Sequence, residues 1–96
     1  QMIPTIFKLH QNYPNPFNPV TQIDFDLPTD EIVNIKIYDL KGRMIKTLKN
    51  TNTLAGYHSI HWNGTNKDGG SIPSGLYICI IQAGELRNTK KMMLLK

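Results

Sequence analysis

Apolar and polar residues alternate with a period of two along much of this chain. Ile23, Phe25 and Leu27 alternate with Gln22, Asp24 and Asp26, and Val33, Ile35 and Ile37 alternate with Asn34, Lys36 and Tyr38. Further on, His58, Ile60 and Trp62 alternate with Ser59, His61 and Asn63. Successive side chains of a strand point to opposite faces, so each run predicts a strand with one buried face. Trp62, in phase with His58 and Ile60, is expected between two sheets. Leu76-Tyr77-Ile78-Cys79-Ile80-Ile81 departs from the pattern by being apolar throughout. Such a run predicts a central strand covered on both faces, or one whose outer face meets something else. A last strand is predicted from about Glu85 to Leu95. There Met92 and Leu94 share one face and Met93 and Leu95 the other, and at least one pair is expected on the core.

Helical periodicity is almost absent, and turn residues fall between the strands. Asp39-Leu40-Lys41-Gly42 reads as a tight hairpin turn in which Gly42 is free to take positive φ. Leu54-Ala55-Gly56 closes a short loop, Asn63-Gly64 and Asp68-Gly69-Gly70 punctuate a longer one ending at Pro73-Ser74-Gly75, and Ala83-Gly84 turns the last hairpin. The fold class implied is all-β: an immunoglobulin-like antiparallel sandwich of about seven strands. The Cys…Trp…Cys spacing of true immunoglobulin domains is missing, so only the architecture is expected.

Ahead of these strands, Pro14, Pro16 and Pro19 interrupt the segment Gln11-Asn12-Tyr13-Pro14-Asn15-Pro16-Phe17-Asn18-Pro19. Proline fixes φ and lacks an N–H, so the segment predicts an edge strand or a rigid extended lead-in. Tyr13 and Phe17 are expected to pin it to the sandwich. A recognition role for the same stretch is compatible with that.

Length and charge narrow the function. The chain has 96 residues, of which 40% are hydrophobic and 19% charged. A chain of this size buries roughly 60–65% of its unfolded surface, enough for one modest core. No apolar stretch is long enough for a membrane helix. The opening residues carry no basic n-region with an apolar h-region, so any secretion leader is expected upstream. The net charge is +4, and the excess lies in the second half, where Lys49, Lys67, Arg87, Lys90, Lys91 and Lys96 face only Asp68 and Glu85. This is either a solvated strand face or an electropositive handle for an anionic partner. Lys/Arg-rich runs with interleaved aromatics are missing, which argues against nucleic acid.

Candidate chemistry is sparse. Cys79 is a lone cysteine, which excludes an internal disulfide, and it lies in the most apolar strand, where a thiol is inert packing. His58 and His61 stand three apart, on opposite faces of a strand, so joint metal ligation needs a bulge. His58 is instead expected at the core edge with a hydrogen-bond partner. In the loop from Asn63 to Gly69, a calcium site would need carboxylates at Gly64 and Gly75, which glycine cannot supply. Asp24 and Asp26 read as hydrated surface. With no nucleophile motif and no phosphate-binding loop, no enzyme, cofactor or metal is expected.

The ordered motifs carry a resemblance. Leu9-x-Gln11-Asn12-Tyr13-Pro14-Asn15-Pro16-Phe17-Asn18-Pro19 and Thr21-x-Ile23-x-Phe25-x-Leu27-Pro28 resemble the opening of the C-terminal sorting domain of the type IX secretion system. Ile37-Tyr38-Asp39-Leu40-x-Gly42-Arg43, Gly56-x-His58-x-Ile60-x-Trp62-Asn63-Gly64, Pro73-Ser74-Gly75-x-Tyr77 and Lys90-Lys91-Met92-x-Leu94-Leu95-Lys96 continue it. The sandwich is also similar to the Ig-like domain of the flagellar hook-capping protein, which shares the Asp-x-x-Gly-Arg and Gly-x-Tyr features. The resemblance implies a non-catalytic signal at the end of a secreted protein of a Gram-negative bacterium. Its partners would be the outer-membrane translocon and a sortase-like surface protease that removes the domain. Residues 1–8 would end an upstream linker or cargo, and residues 9–96 would form the sorting domain. The cargo would pass through the periplasm to the cell surface or beyond.

Carried over by position, the recognition residues are Pro14, Asn15, Pro16, Gly75, Tyr77, Lys90, Lys91 and Lys96. A structural reading stands beside each: Gly75 begins a strand where a side chain would clash, and Tyr77 is a core aromatic. The alternative function is a carbohydrate-binding or cell-attachment module, for which Tyr13, Tyr38 and Tyr57 are the available platforms, though they do not fall on one strand. A flagellar structural role is the third class. A weak homodimer through Leu76, Ile78 and Ile80 stays open.

Overall fold

The structure, a computed structural model, describes residues 2–96 and folds them into seven strands: β1 (Lys8–Leu9), β2 (Thr21–Leu27), β3 (Glu31–Asp39), β4 (Met44–Thr53), β5 (Gly56–Trp62), β6 (Gly75–Ala83) and β7 (Leu86–Leu94). They pair antiparallel in two sheets, one ordered β1-β2-β5 and the other β4-β3-β6-β7. The alternating runs do what their pattern predicts. Ile23, Phe25 and Leu27 of β2 and Val33, Ile35 and Ile37 of β3 are buried between the sheets. Met92 and Leu94 are the pair of β7 that enters the core. The all-apolar strand β6 is central, flanked by β3 and β7. Tyr77, Cys79 and Ile81 face inward and are buried, while Leu76, Ile78 and Ile80 stay half-exposed on the outer face.

Strand β4 shows no period-two pattern in sequence, and the register explains why. Tyr38 pairs with Met44 but Ile37 with Lys46, and Lys36 pairs with Thr47 but Ile35 with Lys49. Ile45 and Leu48 are therefore the extra residues of two bulges, and both pack against the core. Each bulge resets the in/out parity, so the apolar spacing becomes three.

The turns follow their residues. In the β3–β4 hairpin the Gly42 N–H donates to the Asp39 carbonyl at 3.0 Å, and Gly42 has φ +83°. A type I turn followed by a left-handed residue admits glycine at little cost. The last hairpin turns on Gly84 at φ +60°, at the first central position of a two-residue loop.

The proline-rich lead-in is pinned by one of its two aromatics. Phe17 is 1% exposed and its ring lies 5.5 Å from Trp62, whereas Tyr13 is 79% exposed. Tyr13 is held by its backbone alone, exchanging hydrogen bonds of 2.9 and 2.8 Å with Gln22. That two-way bridge puts the two residues side by side on the outer face, so the Tyr13 ring points to solvent. Trp62 sits where its phase predicts, 1% exposed, its Nε1–H donating to the Thr65 carbonyl at 3.0 Å. Tyr77 meets it edge-on at 5.9 Å. In strand β1 Lys8 pairs with Asp26, and just before it Phe7 packs against the core.

Trp62 joins the two sheets and the lead-in, so Trp62→Ala should destabilise the domain by about 3–5 kcal/mol through lost burial and the cavity left behind. Urea unfolding followed by far-ultraviolet circular dichroism measures it. A loss under 1 kcal/mol would show that the sheets do not depend on this side chain.

Candidate functional site

Strand register brings distant motifs to one end of the larger sheet. Gly75 pairs with Leu94 across β6 and β7, and Phe17 forms a parallel bridge with the same Leu94. Pro14-Asn15-Pro16 and Gly75 therefore flank the last residues of β7 from opposite sides, with Lys96 just beyond, although they come from distant parts of the chain. Pro14 and Pro16 have no N–H to give, and the residues around them supply the pairing. The Asn15 side-chain carbonyl accepts from the Met93 N–H at 2.9 Å. The Phe17 N–H donates to the Met93 carbonyl at 2.9 Å, and the Leu95 N–H donates to the Phe17 carbonyl at 3.0 Å. Gln11 adds a bond from its Nε2 to the Lys91 carbonyl at 2.7 Å. Pro14, Asn15 and Pro16 stay exposed along this edge.

Two residues whose role the sequence did not disclose hold the segment in shape. Asn12 is 3% exposed and Thr21 1%. Asn12 Nδ2 donates to the Pro14 carbonyl at 3.1 Å and to Thr21 Oγ1 at 2.9 Å, and Thr21 Oγ1 donates to the same carbonyl at 3.0 Å. A polar side chain beside a run of prolines, which cannot satisfy one another, is the only signal the sequence offered.

Gly75 and Tyr77 shape the neighbouring loop. A Cβ built on Gly75 meets nothing within 4 Å, so the expected clash is absent. Its φ of +155° is what favours glycine. Tyr77 is 6% exposed and donates its hydroxyl to the Pro73 carbonyl at 2.7 Å. Burial raises its phenol above the ordinary pKa, and the nearby Asp39 charge adds to this. The ring thus fixes the Pro73–Gly75 corner from inside and presents little surface of its own.

Beside that corner runs a groove of about 330 Å³, with Leu40 and Arg43 on one wall and Pro73, Ser74 and Leu76 on the other. Asp39 holds the first wall. Its carboxylate accepts from the backbone N–H of Arg43 and of Lys41 at 2.9 Å each and from Arg43 Nε at 2.7 Å. These bonds, the Arg43 backbone N–H foremost, hold the Asp39 carboxyl below its ordinary pKa.

The three lysines do not form one patch. Lys96 lies at the shared end, its N–H on Ser74 Oγ at 2.9 Å and its Nζ on Ser71 Oγ at 3.0 Å. Lys91 is exposed on the outer face of β7, opposite Ile78. Lys90 points the other way, opposite Cys79, and is half-buried. Cys79 itself is walled in, and burial pushes its thiol up to about 12. His58 stacks on Phe25 at 5.1 Å with Nε2 2.7 Å from the Leu54 carbonyl, the core-edge place its phase predicts.

Asp24 and Asp26 lie on the outer face of the small sheet, half-buried rather than freely hydrated. Asp24 accepts from Ser59 Oγ at 2.6 Å, which lowers its pKa, and Asp26 lies 2.9 Å from His10 Nε2. Of the three tyrosines, Tyr13 and Tyr57 flank this face at opposite ends, while Tyr38 is on the other sheet. They make no shared platform.

Against known proteins, the family model described as the secretion system C-terminal sorting domain matches residues 11–95. The basal-body rod modification protein FlgD of Salmonella typhimurium is 34% identical over 61 residues, which is 64% of this chain and 26% of that protein. The chain thus spans about a quarter of the curated relatives it matches. Among solved structures, dimeric latent PorU from Porphyromonas gingivalis aligns with a TM-score of 0.70 at 24% identity, over 98% of this chain and 10% of that one. PorZ, an essential surface component of the type-IX secretion system of the same organism, aligns with a TM-score of 0.63 at 20% identity, over 94% and 11%. At these identities the structural likeness establishes the fold.

Two measurements probe the site. Asn12→Ala leaves the Thr21 hydroxyl and the Pro14 carbonyl short of a buried partner and should cost about 1–3 kcal/mol in urea unfolding; an unchanged midpoint would remove Asn12 from the account. The Asp39 carboxyl should titrate by NMR below the ordinary aspartate value of 3.8. Because its folded pKa is depressed, its contribution to the hairpin is present above about pH 4 and lost as pH falls through the folded pKa. A midpoint at or above 3.8 would contradict the bonding seen.

Proposed function

This chain belongs to the secretion system C-terminal sorting domain family, and on that premise we propose that it is the non-catalytic signal by which an upstream cargo crosses the type IX outer-membrane translocon. The family match over residues 11–95 is the observation that carries the reading. In this reading residues 1–8 end the upstream linker or cargo, and the cargo travels through the periplasm to the cell surface or medium. A sortase-like surface protease then removes the domain.

The geometry supports a signal read by shape and charge. Pro14-Asn15-Pro16 is exposed yet rigid, held by Asn12 and by the edge of β7. Lys96 is tethered to Ser74 and Ser71 at the same end of the sheet. Lys91 adds a cation on the outer face of β7 and half-buried Lys90 one on its other face. Gly75 and Tyr77 act from within, by setting the corner against which the chain end rests. With its lone thiol buried and protonated at neutral pH, the domain offers the translocon a surface rather than a reaction.

A reporter fused ahead of residues 1–96 should be exported by a host that carries the translocon. Lys90→Gln/Lys91→Gln/Lys96→Gln should abolish that export while leaving the melting temperature nearly unchanged, since Lys91 and Lys96 are exposed and glutamine keeps part of the aliphatic stem of half-buried Lys90. Normal export of the triple variant would move the signal to the Pro14-Asn15-Pro16 segment or to overall shape.

A further inference from the structure

The two outer faces of the sandwich differ in charge, and the difference is read from strand register. On the small sheet, the outward positions of β2 carry Asp24 and Asp26, met by His10, Ser59 and the exposed Lys8 opposite Asp26. On the large sheet, the outward positions of β3, β6 and β7 carry Lys36, Arg87 and Lys91 and no carboxylate. Strand β4, which completes that sheet, contains no acidic residue at all. Between the cations runs an aliphatic stripe, Leu76, Ile78 and Ile80, each half-exposed. Lys36 lies directly opposite Ile80 on one side, and Lys91 lies opposite Ile78 on the other. A shallow depression of about 210 Å³ opens where Lys36, Ile80 and Arg87 meet.

We propose that the outer face of the large sheet is a docking surface for a protein partner that presents carboxylates around an aliphatic ridge. Charge complementarity selects this occupant. Three cations without a counter-charge on their own face gain most from acidic groups, and the stripe between them gains from apolar cover. A second copy of the chain is disfavoured: like faces set Lys36, Arg87 and Lys91 against the same three cations, and the opposite face offers only Asp24 and Asp26, already bonded to Ser59 and His10 and with no aliphatic ridge between them. A lipid surface is disfavoured by shape. Insertion needs apolar groups that protrude beyond the polar ones, whereas the stripe lies between longer lysine and arginine side chains. A protein ridge can reach between them.

The proposal rests on the export reading, since the partner is met on that route. The test therefore spares Lys91, which the export signal also uses. In the reporter fusion, Lys36→Glu/Arg87→Glu should lower export at least tenfold with an unchanged melting temperature. Lys49→Glu/Lys67→Glu, an equal change of net charge with Lys49 opposite core-facing Ile35 and Lys67 in the loop between β5 and β6, should export like the parent with an unchanged melting temperature. Should the first pair unfold the domain, Lys36→Gln/Arg87→Gln replaces it and should lower export several-fold.

Parent-level export by a folded face variant overturns the docking surface and leaves the export reading standing. Equal loss in both pairs overturns it too, as an effect of net charge. Failure of the parent fusion to be exported overturns the export reading and this proposal with it. Vesicles of phosphatidylcholine and phosphatidylglycerol at three to one supply the remaining arm. Sedimentation of the parent chain with them, abolished by Lys36→Glu/Arg87→Glu, would assign the face to lipid and overturn the protein partner.

Discussion

The pairing of Phe17 with the end of β7 is the constraint on which the rest of the molecule depends. A strand at the edge of a sheet exposes a row of unpaired N–H and C=O groups, which invites pairing with another chain. Here the C-terminal half of that row is covered from within, by Phe17, Asn15 and Gln11. Closing so long a loop costs entropy that grows only as the logarithm of its length, and the Phe17 ring offsets it by entering the core against Trp62. The same contact holds the first third of the chain against the last strand. It thereby assembles an exposed proline segment and the chain end into one surface.

Around that surface, buried groups shape and exposed groups differ in charge. Trp62, Tyr77 and Phe17 form an aromatic cluster whose polar atoms are satisfied by nearby carbonyls, as with Tyr77 on Pro73 and Trp62 on Thr65. Such bonds let large amphipathic rings be buried without an orphaned donor. Outside, the small sheet carries acids tied to His10 and Ser59, and the large sheet carries free cations beside an aliphatic stripe. The sandwich is thus polarised across its thickness, which orients it in the field of any charged partner.

The bulges of β4 show how a local device serves the whole. Ile45 and Leu48 would alternate wrongly in a regular strand, yet both reach the core because an extra residue is inserted at each. A bulged edge is also harder to extend with another strand, since its hydrogen-bond spacing is broken. The loop that follows β5 adds to this, with the Lys67 N–H donating to the Ile45 carbonyl at 2.9 Å.

By itself the sequence determined the strands β2, β3, β5, β6 and β7 and the buried face of the first three, whereas the short β1 and the bulged β4 carry no period to read. Ile23, Phe25, Val33, Ile35 and Trp62 declare themselves through a period of two that only a half-buried strand explains, and Gly42 and Gly84 mark turns that need positive φ. The ordered motifs likewise identified the family, because each is local in the chain. Tertiary structure alone decided what depends on contacts between distant segments. It set Phe17 rather than Tyr13 in the core, since the Tyr13 bridge to Gln22 turns that ring to solvent. It gave Gly75 its role through a backbone angle, where a clash had been expected. It chose Lys91 rather than Lys90 for the outer face and joined Lys96 to Ser71 and Ser74. It also made an acid-free face, because the charge of a surface is a sum over strands whose neighbours are chosen by register, and register is settled only when the sheets close on a common core.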